Sequence, residues 1–258
     1  MTPDSEDNSL LPEELKQAIE RDELLLYYQP ELSLTTLETE RVEALVRWKH
    51  PHQKFLLPGK FLPWIETSPQ MIPLSFWTIR EGAQQLGKWQ ESWPGLGMSI
   101  NLSPRVLAVD NLRKEMKQIL EVANVNASKI SLEIKADIMV DESIQKMLEG
   151  LKEDGIRIVI DDFSVGNSAA SLLNKLQADA IKLDKWLMVN ILADAQDSVL
   201  VEPLIHMAHD IGCKVIAKGI ETQEACLLMQ SLGCDSAQGY FLGKPMSASD
   251  FEKWKEVN

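Results

Sequence analysis

Short apolar runs alternate along the chain with longer stretches whose apolar positions recur every three or four residues. The runs fall at 24–29, 42–48, 98–101, 130–134, 156–160, 180–183, 214–217 and 237–241. They lack strict polar alternation, which predicts strands covered on both faces, as in a parallel sheet. Stretches 74–89, 111–123, 141–154 and 198–211 read as amphipathic helices. An earlier helix is predicted in LPEELKQAIERDE, where Leu11, Leu15, Ala18 and Ile19 share a face. Pro12 and the two glutamates after it suit a helix start. Gly97, Gly155, Gly212 and Gly233 each precede a predicted strand, as expected of residues closing the helix before it.

Strands separated by helices predict an α/β protein, and eight of them in 258 residues favour a closed, TIM-like (β/α)8 barrel. No Gly-rich phosphate loop or dinucleotide fingerprint follows the early strands, which weighs against an open doubly wound sheet. No internal repeat or interior linker is visible. Residues 11–258 read as one domain, preceded by a polar, flexible segment over 1–10.

Composition narrows the function. With 45% apolar and 25% charged residues, the chain is an ordinary globular one. No apolar run approaches the roughly 20 residues of a membrane helix. The first residues, MTPDSEDNSLLPEEL, lack the basic and apolar regions of a signal peptide. Cys213, Cys226 and Cys234 are odd in number and have no metal-like pairing. Reduced thiols in a cytoplasmic setting follow. The net charge of −13 disfavours DNA and anionic membranes as partners, and requires local cations around any anionic ligand.

In such a barrel the chemistry lies at the C-terminal ends of the strands. Reading those positions gives Glu43, Asn101, Asp161, Asp162, Lys182, Lys218, Glu221 and Gln238. Taken singly, each could cap a helix or meet water. Together they bring carboxylates, amides and lysines to one rim, and oxygen donors of this kind suit Mg²⁺, Mn²⁺ or Ca²⁺. The four histidines have neither the spacing nor the partners of a metal or catalytic site.

Several ordered words carry a resemblance. They are YYQP (27–30), EALVRWKHP (43–51), FLPWIE (61–66), NLS (101–103), DDF (161–163), IKLD (181–184), GIET (219–222) and QGYFLGKP (238–245). From about Leu11 to Trp254 the chain resembles the EAL-domain family, bacterial cyclic di-GMP phosphodiesterases. The resemblance implies a TIM-like barrel with its first strand antiparallel, and cyclic di-GMP lying across the mouth. In active members two divalent cations, Mg²⁺ or Mn²⁺, activate the water that opens one phosphodiester and yields pGpG. Glu43, Asn101, Asp161 and Asp162 match metal ligands, and Lys182 the lysine at the water and metal site. Glu221 matches a glutamate that orders the loop after strand five. Gln29, Leu45 and Arg47 match ligand-contacting positions, and Gln238 a residue that supports the same site. A homodimer is also implied.

The match breaks at the metal site. The family word LEITE is here LEIKA, leaving Ala136 where a metal-binding glutamate is expected. Asp137 and Glu133 have the wrong strand parity to replace it. The word AEGVE is AKGIE, placing Lys218 where a catalytic carboxylate is expected. In the loop after strand five, Ser164 stands for a glycine and Asn167 for a tyrosine. One negative charge lost at 136 and a reversal at 218 make the mouth three units more positive. Lys218 is expected to pair with Asp161 or Asp162, and hydrolysis to be lost or nearly so.

Three functions compete. The first is a degenerate, non-catalytic cyclic di-GMP receptor that acts on a regulatory protein partner. The second is a protein-docking barrel without nucleotide, using the drifted loop 164–170 and Trp64, Trp77, Trp89 and Trp93. Most of these tryptophans are, however, better read as packing between helices and barrel. The third is a phosphodiesterase with an unusual, metal-poor site. No second signalling module is present, so the chain either works in trans or is part of a longer protein.

Overall fold

The computed structural model describes residues 11–164, 169–184 and 198–257. Its strands are β1 (Leu24–Ser33), β2 (Thr39–His50), β3 (Lys54–Leu56), β4 (Gly97–Asn101), β5 (Ile130–Lys135), β6 (Arg157–Phe163), β7 (Ala180–Leu183), β8 (Lys214–Lys218) and β9 (Ser236–Gln238). Among the described residues the helices are α1 (Leu11–Glu20), α2 (Pro58–Ile65), α3 (Met71–Trp89), α4 (Pro104–Leu107), α5 (Leu112–Ala123), α6 (Glu142–Glu153), α7 (Ala169–Leu176), α8 (Ser198–Asp210), α9 (Gln223–Ser231) and α10 (Ala248–Val257).

The pairing order β1-β9-β8-β7-β6-β5-β4-β2, joined by β1–β2, closes eight strands into a barrel, and β3 forms a hairpin on β2. β1 runs antiparallel to both its neighbours, and the other barrel pairs are parallel. The reversal has a local cause. Only residues 34–38 link β1 to β2, enough for a hairpin and far too few for a helical crossover.

The outer face of the wall carries Val42, Met98, Ile100, Leu132, Ile134, Ile158, Ile160, Ile181, Leu183 and Val215, all buried in the main core. A second core joins α1, α2 and the far end of β2 through Leu11, Leu15, Val46, Trp48, Phe61 and Ile65. Inside the barrel the apolar content shrinks to Val159, Ala180 and Ile216. Two residues further along those three strands stand Asp161, Lys182 and Lys218, so the chain turns from apolar to charged in one step toward the mouth.

The pattern foresaw neither β3 nor α2. Pro58 at the first turn of α2 and Pro63 inside it mask the helix as a loop. The last run, expected to extend to 241, ends as a strand at Gln238, because Gly239 passes directly against the backbone of Ile220. Gly155, Gly212 and Gly233 do close helices, with φ of +92°, +76° and +90°. Gly97 does not: it lies in β4, where the Arg41 guanidinium fills the place a side chain would take. Trp89 is buried edge-on to Tyr28 and donates to Glu252, whereas Trp64 is 51% exposed and packs no core.

At Gly239 a Cβ would sit 2.0 Å from the Ile220 carbonyl oxygen, whereas at Gly59 it would meet nothing. Gly239→Ala is expected to cost about 1–3 kcal/mol in urea denaturation. Gly59→Ala is expected to be neutral or slightly stabilising.

Candidate active site

Four consecutive positions of one face on β2, taken alternately, build the first wall of the site. Arg41, Glu43, Leu45 and Arg47 share that face and stand across from Glu31, Gln29, Tyr27 and Leu25 of β1. Glu43 points inward and is almost fully enclosed. It accepts from Asn101 Nδ2 at 2.7 Å and Gln238 Nε2 at 2.9 Å, and pairs with Lys182 Nζ at 3.1 Å. Burial alone would raise its pKa, but Lys182, Lys218 and the two amides bring it down to about 2.

Lys182 is completely buried at the centre of the barrel. Besides Glu43 it pairs with Glu133, lies 3.9 Å from Glu31 and donates to Gln238 Oε1 at 3.4 Å. Burial opposes its charge, yet Glu133, Glu43 and Glu31 hold its pKa well above the ordinary lysine value. One ammonium cannot neutralise three carboxylates. Burial, and then repulsion from Glu43, push Glu133 up to about 8, and burial raises Glu31 as well.

Glu31 and Glu133 were missing from the residues expected at the site. Parity counted back from Ala136 misplaced Glu133, because Ala136 lies beyond the end of β5 and the alternation does not extend to it. A usable signal existed: each is an acidic residue amid apolar positions of a strand.

The second half of the site depends on an irregularity. The pairing of β6 with β7 shifts register between Ile160 and Phe163, and Asp162 adopts a left-handed φ of 52°. A bulge of this kind breaks the alternation that would send successive side chains to opposite faces. Asp161 and Asp162 therefore both reach Lys218, whose Nζ lies 2.6 Å from Asp161 Oδ1 and 2.8 Å from Asp162 Oδ1. The expected pairing is thus made with both carboxylates. Burial disfavours the Lys218 charge, but Asp161 and Asp162 overcome this and raise its pKa.

The remaining expected residues are spread around this centre. Gln29 faces Glu43 across β1–β2 and donates to the Gly243 carbonyl at 3.0 Å. Leu45 lines a cavity of about 370 Å³ that opens beside Glu43, Asn101, Glu133 and Lys135 and runs beneath α2. Arg47 is buried, donates to the Val46 carbonyl and lies over the Tyr27 ring, 5.4 Å from its centroid. Gln238 is enclosed between Glu43 and Lys182. Glu221 is exposed, immediately before the Thr222 cap of α9. Ala136 brings no oxygen donor, and its backbone N–H bonds to the Asp161 carbonyl. Ser164 is exposed at the end of β6, and Asn167 lies outside the described residues.

A two-metal centre does not fit this set. Asp161 and Asp162 hold an ammonium between them, and position 136 carries a methyl group. Among the described residues, no three His, Cys, Asp or Glu side chains are arranged to hold a metal ion.

The EAL domain model matches residues 12–245. The chain belongs to the EAL domain family. This EAL domain is 31% identical over 242 residues to the cyclic di-GMP phosphodiesterase PdeR of Escherichia coli, covering 93% of the chain and 36% of that protein. It is 32% identical over 248 residues to the cyclic di-GMP phosphodiesterase NbdA of Pseudomonas aeruginosa, covering 95% and 32%. The chain thus spans about a third of these curated relatives. Among solved structures it resembles the EAL enzyme Bd1971 in its cAMP- and cyclic di-GMP-bound form, with 30% identity and a TM-score of 0.91 over 96% of the chain and 69% of that protein. It also resembles the MucR phosphodiesterase in complex with cyclic di-GMP, at 30% identity and a TM-score of 0.87, over 93% of the chain and 99% of that structure. Among the described residues of this EAL domain, no helix is long and apolar enough to cross a membrane.

The raised Glu133 gives a signed pH dependence. Its pKa rises from 4.5 to about 8 on folding, so its contribution to stability is full below 4.5 and is lost as pH climbs through 8. Between pH 5 and 8, stability should fall through this group by up to about 1.4 kcal/mol per pH unit. Glu133→Gln should flatten that slope in urea titrations at several pH values. An unchanged slope would show that Glu133 is ionised in the folded state.

Proposed function

We propose that this EAL domain is a cyclic di-GMP receptor that has given up phosphodiester hydrolysis and passes the bound state to a regulatory protein partner. The observation that carries the reading is the Lys218 ammonium bonded to both Asp161 and Asp162. A cation fixed between those carboxylates opposes a divalent ion at the same place. The resemblance expects a further oxygen donor at position 136, where this chain has alanine. Without the charge that would activate a water and neutralise the scissile phosphate, the rate should fall by ~10²–10⁴-fold or more.

Nucleotide binding is supported from the other side of the mouth. Gln29, Leu45 and Arg47 keep the cradle positions expected from the resemblance. The relatives PdeR and NbdA are named for cyclic di-GMP, and the Bd1971 and MucR structures contain it. Among the described residues Arg47 holds only a carbonyl bond and a ring contact, so it can turn toward a phosphate or guanine edge.

Calorimetric titration of cyclic di-GMP, once with Mg²⁺ and once with EDTA, tests the proposal. Equal binding in both, no pGpG in the Mg²⁺ sample, and a loss of about tenfold or more in Arg47→Ala are expected. Binding only with Mg²⁺ and release of pGpG would restore the phosphodiesterase reading. Absence of binding in both would leave a protein-docking barrel.

A further inference from the structure

Lys135 adds a second cation to the mouth, and its surroundings differ from those of Lys218. It stands at the last position of β5, with Asp161 of β6 as its Cα partner. In the family word LEITE its place belongs to threonine, so the mouth gains four positive units rather than the three counted from positions 136 and 218. Its Nζ is 3.4 Å from Glu66 Oε1 of α2's C-terminal end, across the opening of the cavity that Glu43 and Asn101 also line. The two side chains are 56% and 48% exposed. An ion pair so open to water is worth little and breaks readily.

The charge balance gives this pair a function. Lys218 is already neutralised by two carboxylates, and an arriving phosphate would meet no net positive charge there. Lys135 flanks Asp161 on the opposite side, and β5 and β8 lie three strand spacings apart, about 14 Å along the wall. Resting on the receptor reading, we propose that Lys135 is a phosphate anchor of the mouth, held by Glu66 in the empty protein and released from it when a cyclic dinucleotide binds. Lys135 then meets the anion from the β5 side and supplies positive charge where a metal-dependent relative would use ions. Glu66 acts as a latch, since its carboxylate occupies the Lys135 ammonium.

Calorimetry with cyclic di-GMP in EDTA decides the matter, using wild type, Lys135→Gln, Lys135→Arg, Glu66→Gln and the double variant. Both residues are exposed, and melting curves should confirm that every variant folds. Lys135→Gln should weaken binding ~3–10-fold, as expected for one charge-assisted contact, and Lys135→Arg should largely retain it. Glu66→Gln should tighten binding ~3-fold. The double variant should match Lys135→Gln, because the latch has nothing left to hold. Unchanged affinity in Lys135→Gln, with a wild type that binds, would overturn the anchor and leave the receptor reading intact. Weaker binding in Glu66→Gln would make Glu66 a ligand contact and overturn the latch. A wild type that binds nothing would overturn the receptor reading and this inference together.

Discussion

The buried ammonium of Lys182 organises the interior of this barrel. It is completely removed from water and stands among Glu31, Glu43 and Glu133, with the Gln238 amide completing its contacts. A lone charge in such a place would cost several kcal/mol, and so would any carboxylate left without it. The balance is struck by unequal ionisation. Glu43, which the Asn101 and Gln238 amides also serve, is held low and keeps its charge, while burial and the Glu43 carboxylate push Glu133 upward. The inward face of β2 is thereby held in register with β5, β7 and β9, and the groove along Glu43, Leu45 and Arg47 is fixed.

A second ammonium, that of Lys218, repeats the arrangement at the rim with a different outcome. Here the carboxylates come from a bulge that turns two consecutive aspartates to the same side. In an EAL domain with a glutamate at 218, three carboxylates would crowd this place and call for external cations. With lysine there, the protein supplies the cation itself. In the proposed receptor, fold and ligand cradle outlast chemistry in this way, because they rest on Lys182 and the strands while hydrolysis rests on the rim.

Much of this was legible in the sequence, and the gaps have physical causes. Apolar runs located all eight barrel strands, because each buries one face against helices. The antiparallel first strand came only through the resemblance, although the five-residue link after Ser33 requires it. AKGIE revealed Lys218, and the pairing with aspartates followed from charge alone. That both aspartates would take part was not legible, since a bulge leaves no mark in hydrophobic pattern. Glu133 was set aside by parity counted across the end of a strand. Lys135 stands in the same word as Ala136, and a lysine that ends a strand carries no pattern that separates a site residue from a solvated charge.

In the proposed receptor the Lys218 ammonium, rather than a divalent metal, serves Asp161 and Asp162. Anomalous diffraction at the manganese edge, from crystals equilibrated with Mn²⁺ and cyclic di-GMP, tests it directly. The expected result is no ion within coordinating distance of both aspartates, with Lys218 still bonded between them. Two manganese ions at that place, with Lys218 displaced, would contradict it.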